Sequence, residues 1–236
     1  MSKARLNFNT FEWLTFDCYG TLIDWESGII AALNPILFAH RVPASAEKVL
    51  DLYGELEAEL ESARRQYMTY RNVLASIVSG LGERLSFVPS PQETCSLANS
   101  LSSWKPFPDT VVALRALKQK YKLGIISNTD DDLFAETAKQ LGVGFDEVVT
   151  AQQVRSYKPS VNNFQTALQR MRIPRERVLH VAQSVYHDII PTRFLGITNV
   201  WVNRRGRKPG AGATKSARGK PDLEVQDLET LASLAL

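Results

Sequence analysis

The chain has 236 residues, of which 44% are hydrophobic and 22% are charged, and its formal net charge is +3. This composition is typical of a globular protein with one good core and a smaller second unit, and so small a charge gives little support to nucleic-acid binding. No stretch approaches the roughly 18 apolar residues of a membrane span, so we expect no role in a membrane. Cys18 and Cys95 lack metal-ligand spacing, which favours reduced thiols and a cytoplasmic location.

The first predicted element is a short strand that ends in an acid. Residues 13–16 are apolar and rich in strand-forming side chains, Asp17 follows, and a turn at Gly20 comes next. In open parallel sheets ligands bind at the carboxyl ends of the strands, so Asp17 is the first candidate for chemistry. An acid that merely caps the following turn or helix is the competing interpretation.

Residues 27–104 have a different pattern. From Tyr53 to Leu81, apolar and aromatic residues recur at alternating steps of three and four, the spacing of one helix face, while Glu57 and Glu61 fall among the charged residues assigned to other faces. The pattern predicts a block of helices without strands, and we interpret its aromatic residues as core packing rather than a cofactor site. The prolines of residues 105–108 break the pattern and predict the hinge by which the chain returns.

Beyond residue 109, short apolar runs alternate with helical patterns. The helices are predicted over residues 111–121, 133–141, 162–171, 189–195 and 228–236. The strands between them are predicted over residues 123–126, 147–150, 178–182, 199–202 and 223–225. Such alternation predicts a parallel sheet with right-handed crossovers.

The segment 204–220 is rich in Gly, Lys and Arg and has no apolar periodicity. This composition predicts an exposed, mobile loop. A patch that binds phosphate or a partner protein is the alternative, because basic residues concentrate positive potential there.

Four motifs lie at the carboxyl ends of predicted strands: DCYGTLID at 17–24, IISN at 125–128, SYKP at 156–159 and HVAQSVYHD at 180–188. Together they resemble the motifs of the haloacid dehalogenase superfamily. The Tyr at position 19, two places after Asp17, resembles the first motif of the L-2-haloacid dehalogenase (type II) branch. The resemblance implies an α/β fold with a Rossmann-like parallel sheet flanked by helices and an inserted all-helical cap domain. It assigns residues 1–26 and 105–236 to the core domain and 27–104 to the cap.

The resemblance also implies roles for residues of the four motifs. Asp17 would be the nucleophile, Lys158 would keep it ionised, and Asp188 would orient or deprotonate water. The hydroxyl of Ser127 would hold the nucleophile and the substrate carboxylate. The remaining candidates, which would bind or orient the substrate, are Tyr19, Thr21, Asn128, Gln183 and Ser184.

The chain departs from the superfamily pattern at several positions. Tyr19 stands where the phosphatases have a second acid, and Gln183 stands where they have a metal-binding Asp, so the hard oxygens are too few for magnesium and we predict no metal or other cofactor. Phe164 replaces an expected Tyr. The halide-binding Arg is also missing from its expected place, with Arg64 and Arg65 as the nearby substitutes.

These features predict a hydrolase in which Asp17 displaces the leaving group from the carbon next to a carboxylate and forms an ester. Its most direct reaction is (S)-2-haloacid dehalogenation to a 2-hydroxy acid. One alternative is a hydrolase of the same branch that acts on a small carboxylate such as azetidine-2-carboxylate. A phosphatase is a further alternative, although Tyr19 and Gln183 disfavour it, and so is a non-catalytic interaction protein. The long apolar face of the cap predicts a homodimer.

Overall fold

The computed structural model describes residues 6–62, 67–206 and 212–236. Its centre is a six-stranded sheet in the order β3-β2-β1-β4-β5-β6, in which every pairing is parallel. The strands are β1 Trp13–Phe16, β2 Lys122–Ser127, β3 Glu147–Thr150, β4 Val178–Ala182, β5 Thr198–Val202 and β6 Leu223–Val225. The predicted α/β fold is confirmed, and β1, β3, β4 and β6 have the predicted bounds.

Helices pack on the sheet because its central strands are buried on both faces, as their apolar sequences require. The α-helices, in chain order, are α1 Trp25–Ala39, α2 Ala46–Ser62, α3 Tyr70–Leu85, α4 Pro91–Thr94, α5 Ser96–Ser100, α6 Thr110–Leu117, α7 Asp131–Leu141, α8 Ala151–Val154, α9 Asn162–Met171, α10 Ile190–Leu195 and α11 Leu228–Ala235. Helix α6 is shorter than predicted: it ends at Leu117, and Tyr121 is buried beyond it.

The described residues between β1 and α6 form helices and no strands, as predicted. The apolar face is divided between α2 and α3, which pack on each other around the buried rings of Tyr53 and Tyr70. Helix α3 is tied to the end of β2, because the Asp130 carboxylate accepts hydrogen bonds from the backbone amides of Tyr70 and Arg71, both at 2.9 Å. The domain boundaries remain a prediction.

The segment before α10 differs from the prediction. A single helix is predicted over 189–195, whereas a π-helical turn over Val185–Ile189 precedes α10. A π-helical turn is wider than an α-helical one, and here it directs His187 and Asp188 into the protein, where both are buried. Pro191 lies near the start of α10, where its missing amide hydrogen is tolerated.

The predicted exposure of the segment 204–220 holds for most of residues 215–220 but is wrong for 212–214, which are buried, and for Arg204 and Arg205, which are half-buried. Arg204 forms a two-pronged ion pair with Asp109 at 2.8 Å, and Arg205 contacts Glu26, so carboxylates neutralise both cations. Ala213 is fully buried against Gly54, where an added Cβ would lie 2.9 Å from the backbone of Ala213. Residues 207–211 lie outside the described chain. No helix in the described residues has the length and apolar character needed to cross a membrane.

Candidate active site

Asp17 lies directly beyond β1, in the centre of the sheet, with its side chain nearly buried. The next turn passes through Gly20 at φ +87°, and a Cβ at that residue would lie 2.8 Å from the Trp25 indole nitrogen. The turn brings the Thr21 hydroxyl back to donate a 2.6 Å hydrogen bond to Asp17 Oδ2. The Thr21 hydroxyl accepts in turn from the backbone amide of Gln183, which fixes the orientation of the Asp17 carboxylate.

Lys158 lies at the middle of the site with its side chain 1% exposed. Its ammonium donates to Asp17 Oδ1 at 2.9 Å, to Asp188 Oδ1 at 2.7 Å and to the Ile126 carbonyl at 2.9 Å. Burial by itself would lower the pKa of Lys158, but the two carboxylates raise it above its ordinary value. Lys158 is therefore a fixed cation that carries no transferable proton at neutral pH.

Asp188 is the second carboxylate of the site and is fully buried. Burial tends to raise its pKa, yet the charge of Lys158 and the hydrogen bond from His180 hold that pKa below its ordinary value. His180 Nε2 lies 2.9 Å from Asp188 Oδ1, and His180 Nδ1 lies 2.9 Å from the Thr15 hydroxyl. The other oxygen, Oδ2, is buried and has no hydrogen-bond partner in the described part of the chain, so it can accept from a bound water or substrate.

Ser127 and Asn128 end β2 and differ in what they offer a ligand. The Ser127 hydroxyl is buried without a hydrogen-bond partner among the described residues. Asn128 has none of its polar atoms to spare: its Oδ1 accepts from the Lys158 amide at 2.7 Å, and its Nδ2 donates to the Lys158 carbonyl and to Glu61 Oε2, both at 3.0 Å. Asn128 thus fixes the backbone of Lys158, and Ser127 is the side chain with free bonding capacity.

Tyr19 lines the site with its ring but directs its hydroxyl elsewhere. That hydroxyl lies 2.9 Å from Thr137 Oγ1 on α7, and the ring packs edge-on against Trp104. Burial is the main reason that the pKa of Tyr19 is raised well above its ordinary value. Tyr19 therefore supplies an apolar wall and holds its proton firmly.

A cavity of about 30 Å³, with room for roughly one water molecule, lies where these side chains meet. The sequence-predicted residues that line it are Asp17, Tyr19, Ser127, Asn128, Lys158, Ser184 and Asp188. Two predicted substrate-binding residues, Thr21 and Gln183, do not line the cavity and lie behind its wall.

Helix α2 supplies two acids that sequence reasoning placed on other faces. Glu57 is buried, the Glu61 side chain is 2% exposed, and both line the cavity, as do Tyr70 and His187. Burial and the neighbouring Glu61 raise the pKa of Glu57 to about 8, and the hydroxyls of Tyr53 and Tyr70 donate to its Oε1. The signal for these acids was their spacing, since they follow Tyr53 at intervals of four, along the edge of the apolar face.

His187 and His180 were also missed. His187 Nδ1 lies 3.2 Å from the Ser184 hydroxyl and its Nε2 lies 3.3 Å from Glu61 Oε2, so this residue of the fourth motif faces α2. Burial lowers the pKa of His187, which keeps the ring neutral at neutral pH. The available signal for His180 was its place inside the apolar run of β4, because a polar side chain in a buried strand needs a polar partner.

The superfamily resemblance raises the question of a magnesium ion, and the residues present do not fit one. Asp17 and Asp188 each direct an oxygen at the Lys158 ammonium. The neutral Gln183 stands at the position where the phosphatases have a metal-binding Asp. The described residues contain no group of three or more metal-binding side chains. Arg64 and Arg65, the predicted substitutes for a halide-binding Arg, lie outside the described residues.

A family model described as haloacid dehalogenase-like hydrolase matches residues 11–190. The chain belongs to the haloacid dehalogenase-like hydrolases. The motifs that predicted this superfamily thus lie within the matched region, and the relatives include several proteins named as (S)-2-haloacid dehalogenases. The predicted resemblance to that branch is confirmed.

Three similar proteins illustrate the range of this haloacid dehalogenase-like family. (S)-2-haloacid dehalogenase H-109 of Pseudomonas putida is 27% identical over 232 residues, 95% of this chain and 98% of that protein. Glyceraldehyde 3-phosphate phosphatase of Methanothermobacter thermautotrophicus is 33% identical over 196 residues, 80% of this chain and 84% of that protein. The solved structure of L-2-haloacid dehalogenase from Xanthobacter autotrophicus with chloropropionic acid covalently bound has a TM-score of 0.78 and 20% identity, and the match covers 95% of this chain and 98% of that one. At 20% identity, this structural match demonstrates a shared fold.

Proposed function

We propose that this protein displaces the leaving group from the carbon next to a carboxylate through an ester on Asp17, in the manner of an (S)-2-haloacid dehalogenase. The observation that carries the proposal is the Lys158 ammonium held between Asp17 and Asp188 at 2.9 and 2.7 Å. A buried carboxylate that is paired with a fixed cation and shielded from solvent is a competent nucleophile towards saturated carbon. The curated dehalogenase relatives, matched over nearly their whole length, support the same reaction.

The first step is attack by a carboxylate oxygen of Asp17 on the carbon that bears the leaving group. Thr21 and Lys158 hold the Asp17 carboxylate from two sides, which limits it to one orientation. The free hydroxyl of Ser127 is suited to bind the carboxylate of the substrate, and Lys158 screens the charge of that group. The carbon is inverted as the leaving group departs.

The second step is hydrolysis of the Asp17 ester. Asp188 Oδ2 is free to accept a hydrogen bond from water, while Lys158 and His180 hold the other oxygen. Water oriented there attacks the carbonyl carbon of Asp17, and backbone amides of the turn after β1 stabilise the oxyanion. The product is a 2-hydroxy acid, and the carboxylate of Asp17 is regenerated.

A phosphatase reaction is less well supported by the site. It needs an acid two residues after the nucleophile to protonate the leaving oxygen, and Tyr19 occupies that position with its hydroxyl bonded to Thr137. We therefore propose metal-independent turnover of a small carboxylate. We also propose a core of residues 1–26 and 105–236 under a cap of 27–104, a cytoplasmic location and a homodimer.

Halide release from (S)-2-chloropropionate, measured with and without a chelator, tests the reaction class. Under single-turnover conditions in heavy-oxygen water, the heavy oxygen is expected in Asp17 and not in the product, because the oxygen first transferred comes from the carboxylate. Mass spectrometry of the Asp17 peptide measures the label. Product that carries the full label in the first turnover would mean direct attack by water and would overturn the ester mechanism.

A further inference from the structure

Glu61 lines the cavity that contains the nucleophile and has one unused carboxyl oxygen. Its side chain is 2% exposed, and its Oε2 accepts the 3.0 Å hydrogen bond from Asn128, while His187 Nε2 lies 3.3 Å from that oxygen. Its Oε1 is buried and has no hydrogen-bond partner among the described residues. A buried carboxyl oxygen without a partner is unfavourable unless a proton or a ligand is placed there in the working site.

The surroundings of Glu61 favour its protonated form. Burial raises its pKa well above the ordinary value, and Asp17 and Asp188 raise it further, while Lys158 and the Asn128 bond act in the opposite direction. Two other titratable side chains of the cavity wall adjoin this group. Glu57 lies one turn earlier on α2 with a raised pKa, and His187 is neutral. The proton of Glu61 therefore belongs on Oε1, since Oε2 already accepts the Asn128 bond.

Among the described residues, the same cavity offers a halide ion no free cation. Lys158 is the one Lys or Arg among the described residues that line it, and all three of its donors are engaged. Chloride and bromide are very weak bases and leave without a proton, so a carboxyl group gives them little help. Fluoride and an alkoxide oxygen are much stronger hydrogen-bond acceptors, and a positioned acid accelerates their departure.

We infer that Glu61 is the general acid of the leaving-group step, and that the site acts on 2-substituted carboxylates whose leaving atom takes up a proton. This inference rests on the proposed ester mechanism. The leaving atom is fluorine, or the oxygen of a strained ring that opens at the carbon attacked. Chloride and bromide remain substrates that do not need the acid.

The step balances in atoms and charge. An oxygen of Asp17 forms a bond to carbon while the bond from carbon to the leaving atom breaks, and the electron pair of that bond goes to the leaving atom. Glu61 Oε1 gives its proton to that atom, which departs as hydrogen fluoride or becomes a hydroxyl group in an opened ring. One water then hydrolyses the ester, and the proton released restores Glu61.

Three probes separate this role from a structural one: (S)-2-chloropropionate, (S)-2-fluoropropionate and glycidate, whose ring oxygen must be protonated. In Glu61→Gln, the ratio of kcat for each of the last two probes to kcat for chloropropionate is expected to fall about 10²- to 10⁴-fold. The amide keeps an oxygen that can accept from Asn128, so the wall is preserved. Glu59→Gln is the matched control, because Glu59 lies on the same helix with its side chain 62% exposed.

The Asp17 ester, detected by mass spectrometry, makes the outcomes distinguishable. An equal loss on all three probes, or wild-type protein that turns over chloropropionate alone, would overturn the general-acid inference and leave the ester mechanism standing. No ester with any probe in the wild type would instead overturn the proposed function. If Glu61→Gln does not fold, Glu61→Asp repeats the test, because its shorter side chain withdraws the proton from the leaving atom.

Discussion

His180 Nε2 lies 2.9 Å from Asp188 Oδ1, the same oxygen that accepts the hydrogen bond from Lys158. The imidazole is fully buried in β4, and its other nitrogen is bonded to Thr15 on the neighbouring strand β1. A rigid strand thus holds Asp188 from behind and leaves Oδ2 for water. This arrangement makes His180 a positioning residue for the hydrolysis of the Asp17 ester.

Replacing His180 is expected to slow ester hydrolysis more than ester formation. In His180→Asn the shorter side chain cannot reach Asp188, so the carboxylate loses its fixed orientation while Lys158 still holds Asp17. The Asp17 ester should then accumulate during turnover, which mass spectrometry of the intact protein would detect. An equal slowing of both steps, with no accumulated ester, would contradict this role.

Asp17→Asn is expected to abolish turnover and preserve the fold. The amide is nearly isosteric and can keep the hydrogen bond from Thr21, but it is a far poorer nucleophile. Halide release and thermal unfolding of the variant are the measurements. Activity close to that of the wild type would rule out a covalent intermediate on Asp17.

Lys158→Met is expected to lower kcat/KM at pH 7 by on the order of 10²-fold, with partial recovery at higher pH. Burial tends to raise the pKa of Asp188 and the Lys158 charge holds it down, so loss of that charge raises the pKa of Asp188. A higher pH then restores the ionised Asp188 carboxylate. A pH profile of chloropropionate hydrolysis is the measurement, with the exposed Lys139→Met as control. Full activity with an unchanged profile would mean that Lys158 plays no part in the reaction.

Glu57 is expected to make the protein less stable as the pH rises from 7 to 9. Because burial and Glu61 raise its pKa in the folded state to about 8, its contribution to stability is fully present below the unfolded-state value and is lost as pH rises through 8. Most of the loss accumulates below pH 7, and the part between pH 7 and 9 is on the order of 1 kcal/mol. In this pH range His187, whose pKa is lowered, is neutral in both states.

Urea unfolding of the wild type and of Glu57→Gln at pH 7, 8 and 9 measures the Glu57 effect. The amide keeps an oxygen for the hydroxyls of Tyr53 and Tyr70 and has no proton to lose, so the variant should show a smaller slope of stability against pH. Glu61 still contributes in the same direction, because its pKa is also raised. Identical slopes in the two proteins would show that Glu57 is ionised in the fold at neutral pH.

Arg204→Met is expected to destabilise the protein by about 3 kcal/mol, because it leaves the Asp109 carboxylate and the Thr21 carbonyl without their partner in a nearly buried site. Arg84→Met removes an exposed pair with Glu59 and is expected to change stability by about 0.5 kcal/mol. Urea unfolding compares the two variants. Equal small effects would mean that the ion pair of Arg204 does not hold the segment after β5.

The sequence alone determined the sheet and the convergence of Asp17, Ser127, Lys158 and Asp188. An apolar run has a definite length, and a strand that ends in a polar residue must present that residue at the carboxyl edge of a parallel sheet. The bounds of β1, β3, β4 and β6 follow from that rule. The polar residues at those ends meet because neighbouring strands are in register, as Phe16 pairs with both Ile125 and Val181.

Tertiary structure alone decided which side chains complete the site. The rotation of α2 about its axis is fixed by the packing of Tyr53 and Tyr70, and only that rotation turns Glu57 and Glu61 from an apparent solvent face into the cavity. The hydroxyl of Tyr19 and the charge of Arg204 found partners more than 90 residues away in the chain, Thr137 and Asp109. A local pattern carries no information about such contacts, because the free energy of a buried polar group depends on neighbours that the fold supplies.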